Sequence, residues 1–124
     1  MRNAFTMIEM VFVIVIVGIL AAVAIPKLAA TRSDAKGATI VADLSTCIND
    51  AGNAYMMSGS FGHLTQSDKA TVSCTKAREC FAFTETDDNG TLTVSNLSGV
   101  DGACQEAQRI ASMNLLARSH TINF

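Results

Sequence analysis

The chain has 124 residues, 49% of them hydrophobic and 16% charged, with 9 Lys and Arg against 11 Asp and Glu, two His, four Cys, one Pro and no Trp. That length holds one modest domain and argues against a large multi-cofactor enzyme. A net charge of −2 supplies neither the basic footprint of a nucleic-acid binder nor the acidic block of a disordered tail, so no nucleic-acid partner is expected for the chain alone.

The apolar residues are concentrated at the amino end. Residues 10–25 run without one polar side chain. As a helix, residues 5–25 extend about 31 Å at ~1.5 Å per residue, enough to cross a bilayer core. A cleaved signal peptide, a plain signal anchor and a buried core helix share this pattern, and Ala22-Val23-Ala24 supplies an Ala-x-Ala cleavage pattern. What counts against all three is Glu9. A carboxylate in an apolar span costs ~2.5 kcal/mol or more when unpaired deep in lipid, and none of the three needs one.

Ala4-Phe5-Thr6-Met7-Ile8-Glu9, followed by the apolar stretch with Gly18 and Pro26, resembles the class III signal of type IV pilins and type II secretion pseudopilins. The family's basic leader, small residue at the cleavage point, aromatic first mature residue and Glu four positions later fall on Arg2, Ala4, Phe5 and Glu9. Ala4 stands where Gly is usual, and Met7 where Leu is common. The resemblance implies that residues 1–4 are a leader, that a prepilin peptidase cuts between Ala4 and Phe5, and that it methylates the new amino group of Phe5. The apolar helix then stays in the mature protein. It further implies a homo-oligomeric helical filament built on an inner-membrane assembly platform, with the Glu9 carboxylate facing the Phe5 amine of a neighbour. A wrong register would leave that charge unpaired, at ~3 to 5 kcal/mol for a buried pair broken on one side. Phe5, Glu9, Gly18 and Pro26 are thus the assembly residues.

An apolar stripe is as stable against identical stripes as in lipid, so passage from membrane to filament need not expose it to water. Pro26 removes the amide that would bond the Ala22 carbonyl, which predicts a kink or loosening between Gly18 and Pro26; the alternative is that Pro26 marks where the helix leaves the membrane. Lys27, Arg32, Asp34 and Lys36 follow at once, so residues 5–26 are the span. Basic residues on both sides leave orientation open by the positive-inside rule. The resemblance implies a single pass through the inner membrane with the amino end in the cytoplasm, and a periplasmic or extracellular pilus after assembly.

Residues 27–57 contain no further Pro, and Val41, Leu44, Ile48, Ala51 and Tyr55 recur at spacings of three and four. This is one apolar face of an amphipathic continuation of the helix, read as packing on the carboxy-terminal domain. Ala35, Ala38 and Ala42 form a second row of small residues that would permit close approach of neighbours, although Ala is also the best helix former. Gly37 and Gly52 have no evident role in the pattern.

Residues 58–124 form the globular part. Ser58-Gly59-Ser60-Phe61-Gly62 carries turn chemistry, and the period then changes. Residues 80–86 and 91–97 read as a hairpin, with Phe81 and Phe83 alternating on one strand, Leu92 and Val94 on the other, and Asn89-Gly90 favouring a tight turn. Residues 103–118 read as a helix with Ala107, Ile110 and Leu115 among its apolar positions, and residues 120–124 as a third strand. The fold class is therefore α+β: a long amino-terminal helix, membrane-spanning in its first half and amphipathic in its second, packed on a small antiparallel sheet with a further carboxy-terminal helix.

Asp87-Asp88-Asn89-Gly90 raises the question of calcium, which major pseudopilins commonly hold in a loop. Calcium needs six to eight oxygens, and two carboxylates with one amide fall short, so the turn reading is preferred and no metal is assigned. Cys47, Cys74, Cys80 and Cys104 are even in number and lie outside the span, as disulfides in an oxidising compartment would require. Of the three pairings, Cys74 with Cys80 and Cys47 with Cys104 is preferred. Zinc is the weaker rival, because no C-x-x-C occurs. His63 and His120 sit in no nucleophile or metal motif, and no phosphate loop or dense aromatic path is present, so neither enzyme nor cofactor is expected.

Two classes of function remain. One is a filament subunit, within which major pilin, secretion pseudopilin and competence minor pilin stay open. The other is a membrane-anchored periplasmic binding module that never polymerises, for which Glu9 would be dispensable.

Overall fold

The computed structural model describes residues 4–61, 70–114, 116 and 120–124. Helix α1 spans Met7–Ser58, α2 Val72–Ala77 and α3 Gly102–Met113; strands β1 (Phe81–Thr86), β2 (Thr91–Asn96) and β3 (His120–Asn123) form one antiparallel sheet in the order β1-β2-β3. The layout is α+β: a long amino-terminal helix, a three-stranded antiparallel sheet and a carboxy-terminal helix. Two compact units are distinguished, Met1–Arg32 and Ser33–Phe124.

In the first unit, α1 has no core to bury against. Ile16, the least exposed large apolar residue of the stretch, is still 42% exposed. Helix α1 is long and apolar enough to cross a membrane. It remains helical through Gly18 and Pro26. Proline deletes one bond, that to the Ala22 carbonyl, while its fixed φ is itself helical.

In the second unit, α1 buries Gly37, Val41, Leu44, Cys47, Ile48, Ala51 and Gly52. Val41, Leu44, Ile48 and Ala51 join Phe61, Phe81, Leu92, Val94, Ala107 and Ala111 in one core, with Tyr55 packed at its edge. The small row Ala35, Ala38 and Ala42 is exposed. Pairing sets Phe83 opposite Val94, and Leu92 opposite Ile122, on the face turned to this core; Thr84, Thr93 and Thr121 line up on the other face, where Thr93 and Thr121 share a hydroxyl hydrogen bond of 3.2 Å.

The two glycines without a role in the sequence pattern are points of close approach. A Cβ at Gly37 would stand 3.0 Å from the Ala107 amide nitrogen and 3.1 Å from Glu106 Cβ, so α1 and α3 meet there through a missing side chain. The row Ala103, Cys104, Ala107 and Ala111 keeps the facing side of α3 equally low. At Gly52 the space is filled by the Phe124 ring. Gln108 then ties α3 to the sheet, its Nε2 donating to the carbonyls of Cys80 and Leu97 at 2.8 Å each.

Two expectations are corrected. Helix α3 ends at Met113, where the Asn114 amide bonds the Ile110 carbonyl, and does not reach residue 118; Leu115 and Arg118 lie outside the described residues, as do Gly62 and His63. The hairpin connection is the four-residue loop 87–90 that the expected strand bounds leave, a 3-10 turn at Asp87–Asn89 closed by Gly90 at φ 60°. The disulfides are Cys47–Cys74 and Cys80–Cys104, with Cα–Cα distances of 4.7 and 5.0 Å, not Cys74–Cys80 and Cys47–Cys104. The reason is α2, which no sequence pattern announces. Thr71 caps it, accepting from the Cys74 amide; Cys74 thus sits on a helical turn against α1, while Cys80 opens the sheet and meets the first turn of α3.

Candidate functional site

The candidate site is the start of α1. Ala4 and Phe5 are exposed and precede the helix, so the peptide bond between them lies in irregular backbone. A protease needs such accessible, unpaired backbone. The helix begins at Met7 because Thr6 caps it: the Thr6 carbonyl accepts from the amides of Glu9 at 3.1 Å and Met10 at 3.3 Å.

Glu9 completes the cap. Its Oε2 accepts from the Thr6 amide and from the Thr6 hydroxyl, each at 2.8 Å. This is a variant of the capping box, in which the residue at the third helical position reaches back to the capping amide. A carboxylate in the first turn also complements the positive end of the helix dipole. Glu9 therefore has two hydrogen-bond donors within its own chain. Thr6 is missing from the sequence-based site, although Thr-x-x-Glu ahead of an apolar run is the signature that finds it.

Phe5, Ile8, Glu9, Phe12 and Val13 line an open groove of about 370 Å³ on one face of the helix. Its walls are apolar apart from the Glu9 carboxylate. Gly18 has open space around it, since a Cβ there would meet no heavy atom within 4 Å. Phe5, Glu9, Gly18 and Pro26 thus belong to one exposed helix start and span, in which Phe5 and Glu9 share the groove while Gly18 and Pro26 lie further along.

The rival site at the hairpin is occupied by the fold. Asp87 Oδ1 accepts from the Phe61 amide at 3.0 Å, and the Asp87 carbonyl accepts from the Tyr55 hydroxyl at 3.2 Å. The turn is thereby held against the end of α1, and the Asp87 carboxylate has a structural role there. Among the described residues, no group of three or more His, Cys, Asp and Glu is placed to hold a metal ion. On α3, hydrogen bonding to Arg109 holds the Glu106 carboxyl below the ordinary glutamate range, against a smaller opposing effect of desolvation.

The family model described as the prokaryotic N-terminal methylation motif matches residues 1–25. Residues 1–25 are thus the class III signal of type IV pilins and pseudopilins, and the chain carries the features of a prepilin peptidase substrate. No curated protein and no solved structure matches the chain.

Proposed function

We propose that this chain is the structural subunit of a type IV pilus-like filament. It is stored as a single-pass protein of the bacterial inner membrane with its amino end in the cytoplasm. Prepilin peptidase cuts between Ala4 and Phe5 and methylates the Phe5 amine, and the subunit then polymerises through residues 5–26 on an inner-membrane assembly platform. Gly18 and Pro26 give the packed helix its capacity to loosen under load.

The observation that carries this reading is the coincidence of the methylation motif with an apolar first half of α1, exposed throughout residues 7–28 and headed by a carboxylate in a groove. An anchor alone needs the apolar length and nothing more. A carboxylate kept at the head of the span has a purpose when a cation arrives there, and cleavage at Phe5 creates one, an amino group four residues from Glu9. Alternation between lipid and a bundle of identical helices leaves the apolar face covered in both states.

Intact mass of the protein from its native membrane, together with a sheared-filament preparation from wild type and Glu9→Ala, tests this. Loss of residues 1–4 with gain of one methyl group, and recovery of wild type but not the variant in filaments, is the expected result. An uncut amino terminus with no filaments would leave the anchored module.

A further inference from the structure

We propose that Lys27 and Arg32 form a binding site for the phosphate groups of anionic phospholipids at the end of the span where the helix leaves the membrane. The inference rests on the membrane reading above and goes beyond it, from a helix that crosses lipid to a helix that selects lipid by charge.

Both residues belong to the first unit, both are exposed and helical, and they are the first two cations after the apolar run. Leu28, beside Lys27, is 70% exposed, so apolar surface continues up to and past the first charge. Among the described residues, neither Lys27 nor Arg32 is ion-paired with a carboxylate, unlike Arg109, which pairs with Glu106.

Their heights match a headgroup layer. From Ile25, Lys27 lies about 3 Å and Arg32 about 10 Å further along the helix at ~1.5 Å per residue. The polar layer on each side of the hydrocarbon is about 5–7 Å deep. Lys27 therefore ends within it, and Arg32 reaches back to it along its flexible stem. Apolar Leu28 between them fits the boundary of hydrocarbon and headgroup.

The arrangement around the helix selects the occupant. Five positions separate the two cations, which sets them about 140° apart at 3.6 residues per turn. Charges this far apart around the helix do not converge on one small anion or on one flat protein face. Lipids surround the helix, so two phosphates can be engaged at once from different directions. Anionic lipid surfaces attract Lys and Arg by an amount that corresponds to about fivefold enrichment per residue.

The chain has no Trp, so Leu28→Trp places a single fluorophore between the two cations. The full chain carrying it is reconstituted in equimolar phosphatidylglycerol and phosphatidylcholine, with one or the other brominated near the glycerol. The expected result is quenching by brominated phosphatidylglycerol that reports at least threefold local enrichment. Lys27→Gln with Arg32→Gln returns the ratio to one, and Lys76→Gln on α2 leaves it unchanged. Equal quenching by both lipids, or enrichment that survives the double substitution, overturns the proposal while leaving the membrane reading intact. Absence of quenching by either lipid overturns both. Inorganic phosphate that abolishes the enrichment when sodium chloride of the same ionic strength does not would assign the cations to a soluble anion and overturn the lipid site.

Discussion

Gly90 is the residue on which the attachment of the hairpin to α1 depends most directly. It stands at φ 60°, and a Cβ there would lie 2.7 Å from two carbons of the Tyr55 ring and 2.8 Å from its hydroxyl oxygen. The ring cannot easily retreat, because it stacks on Phe61 at a centroid distance of 4.9 Å and its hydroxyl bonds the Asp87 carbonyl. Gly90→Ala therefore carries two penalties: about 1–2 kcal/mol for a side chain in left-handed backbone, and about 1–3 kcal/mol for overlap in a packed site. Gly59→Ala isolates the first, since Gly59 has φ 70° and open space where the Cβ would go. The chain holds one Tyr and no Trp, so tyrosine fluorescence follows Tyr55 alone during thermal unfolding of the detergent-solubilised protein. At about 4–8 °C per kcal/mol for a domain of this size, Gly90→Ala should melt roughly 5–20 °C below Gly59→Ala. Equal melting temperatures would refute the rigid Tyr55 contact and the hairpin attachment argued from it.

Gly37→Ala gains about 1 kcal/mol of helix propensity but drives a methyl group into the α3 backbone; a net loss of stability by chemical denaturation is expected, where an exposed glycine of α1 would show a gain. Cys80→Ser with Cys104→Ser opens a loop with a sequence separation of 24, which costs about 3.5 kcal/mol on the chain-entropy account; peptide mapping without reduction should also recover Cys47 linked to Cys74. Glu106 titrates below the ordinary glutamate range because Arg109 favours its charged form. Its contribution to stability is thus present above the unfolded pKa and is lost as pH falls through the lowered folded value. Arg109→Ala should return the carboxyl to an ordinary titration by NMR.

The elements that could be read in the sequence are those whose signal is local and repeated. The alternation of Phe81 and Phe83 against Leu92 and Val94 gave the hairpin, and the recurrence from Val41 to Tyr55 gave the buried face of α1, because each residue's environment follows from the period of its own element. Helix α2 has six residues, too few for a period, and is held by the Thr71 cap and by Cys47, neither of which marks it in advance. The disulfide pairing depended on α2 and so could not be read either. Gly37 and Gly52 owe their roles to Ala107 and Phe124, partners some seventy positions away, which composition does not reveal. At the amino end the Glu9 charge stands out by itself in an apolar run, whereas its Thr6 partner is legible only through the four-residue pattern that joins them.

That partner changes the energetics of assembly in the proposed filament. A buried charge stripped of its counter-ion costs ~3 to 5 kcal/mol, but Glu9 docked out of register is not stripped, since Thr6 of its own chain still donates twice. Hydrogen bonds to a charged group contribute about 1.5–3 kcal/mol each, so the cap offsets much of the penalty. The discrimination against a wrong register is the difference between an ammonium partner and the Thr6 cap, smaller than for a bare carboxylate. Thr6→Val keeps the amide donor and deletes the hydroxyl, whereas Glu9→Gln keeps a side-chain acceptor and deletes the charge. Amide exchange in residues 7–10 should therefore accelerate in Thr6→Val, while incorporation into filaments should fall far more in Glu9→Gln. If Thr6→Val abolished filaments as completely as Glu9→Gln with amide exchange unchanged, the hydroxyl would act between subunits and not as the cap of its own helix.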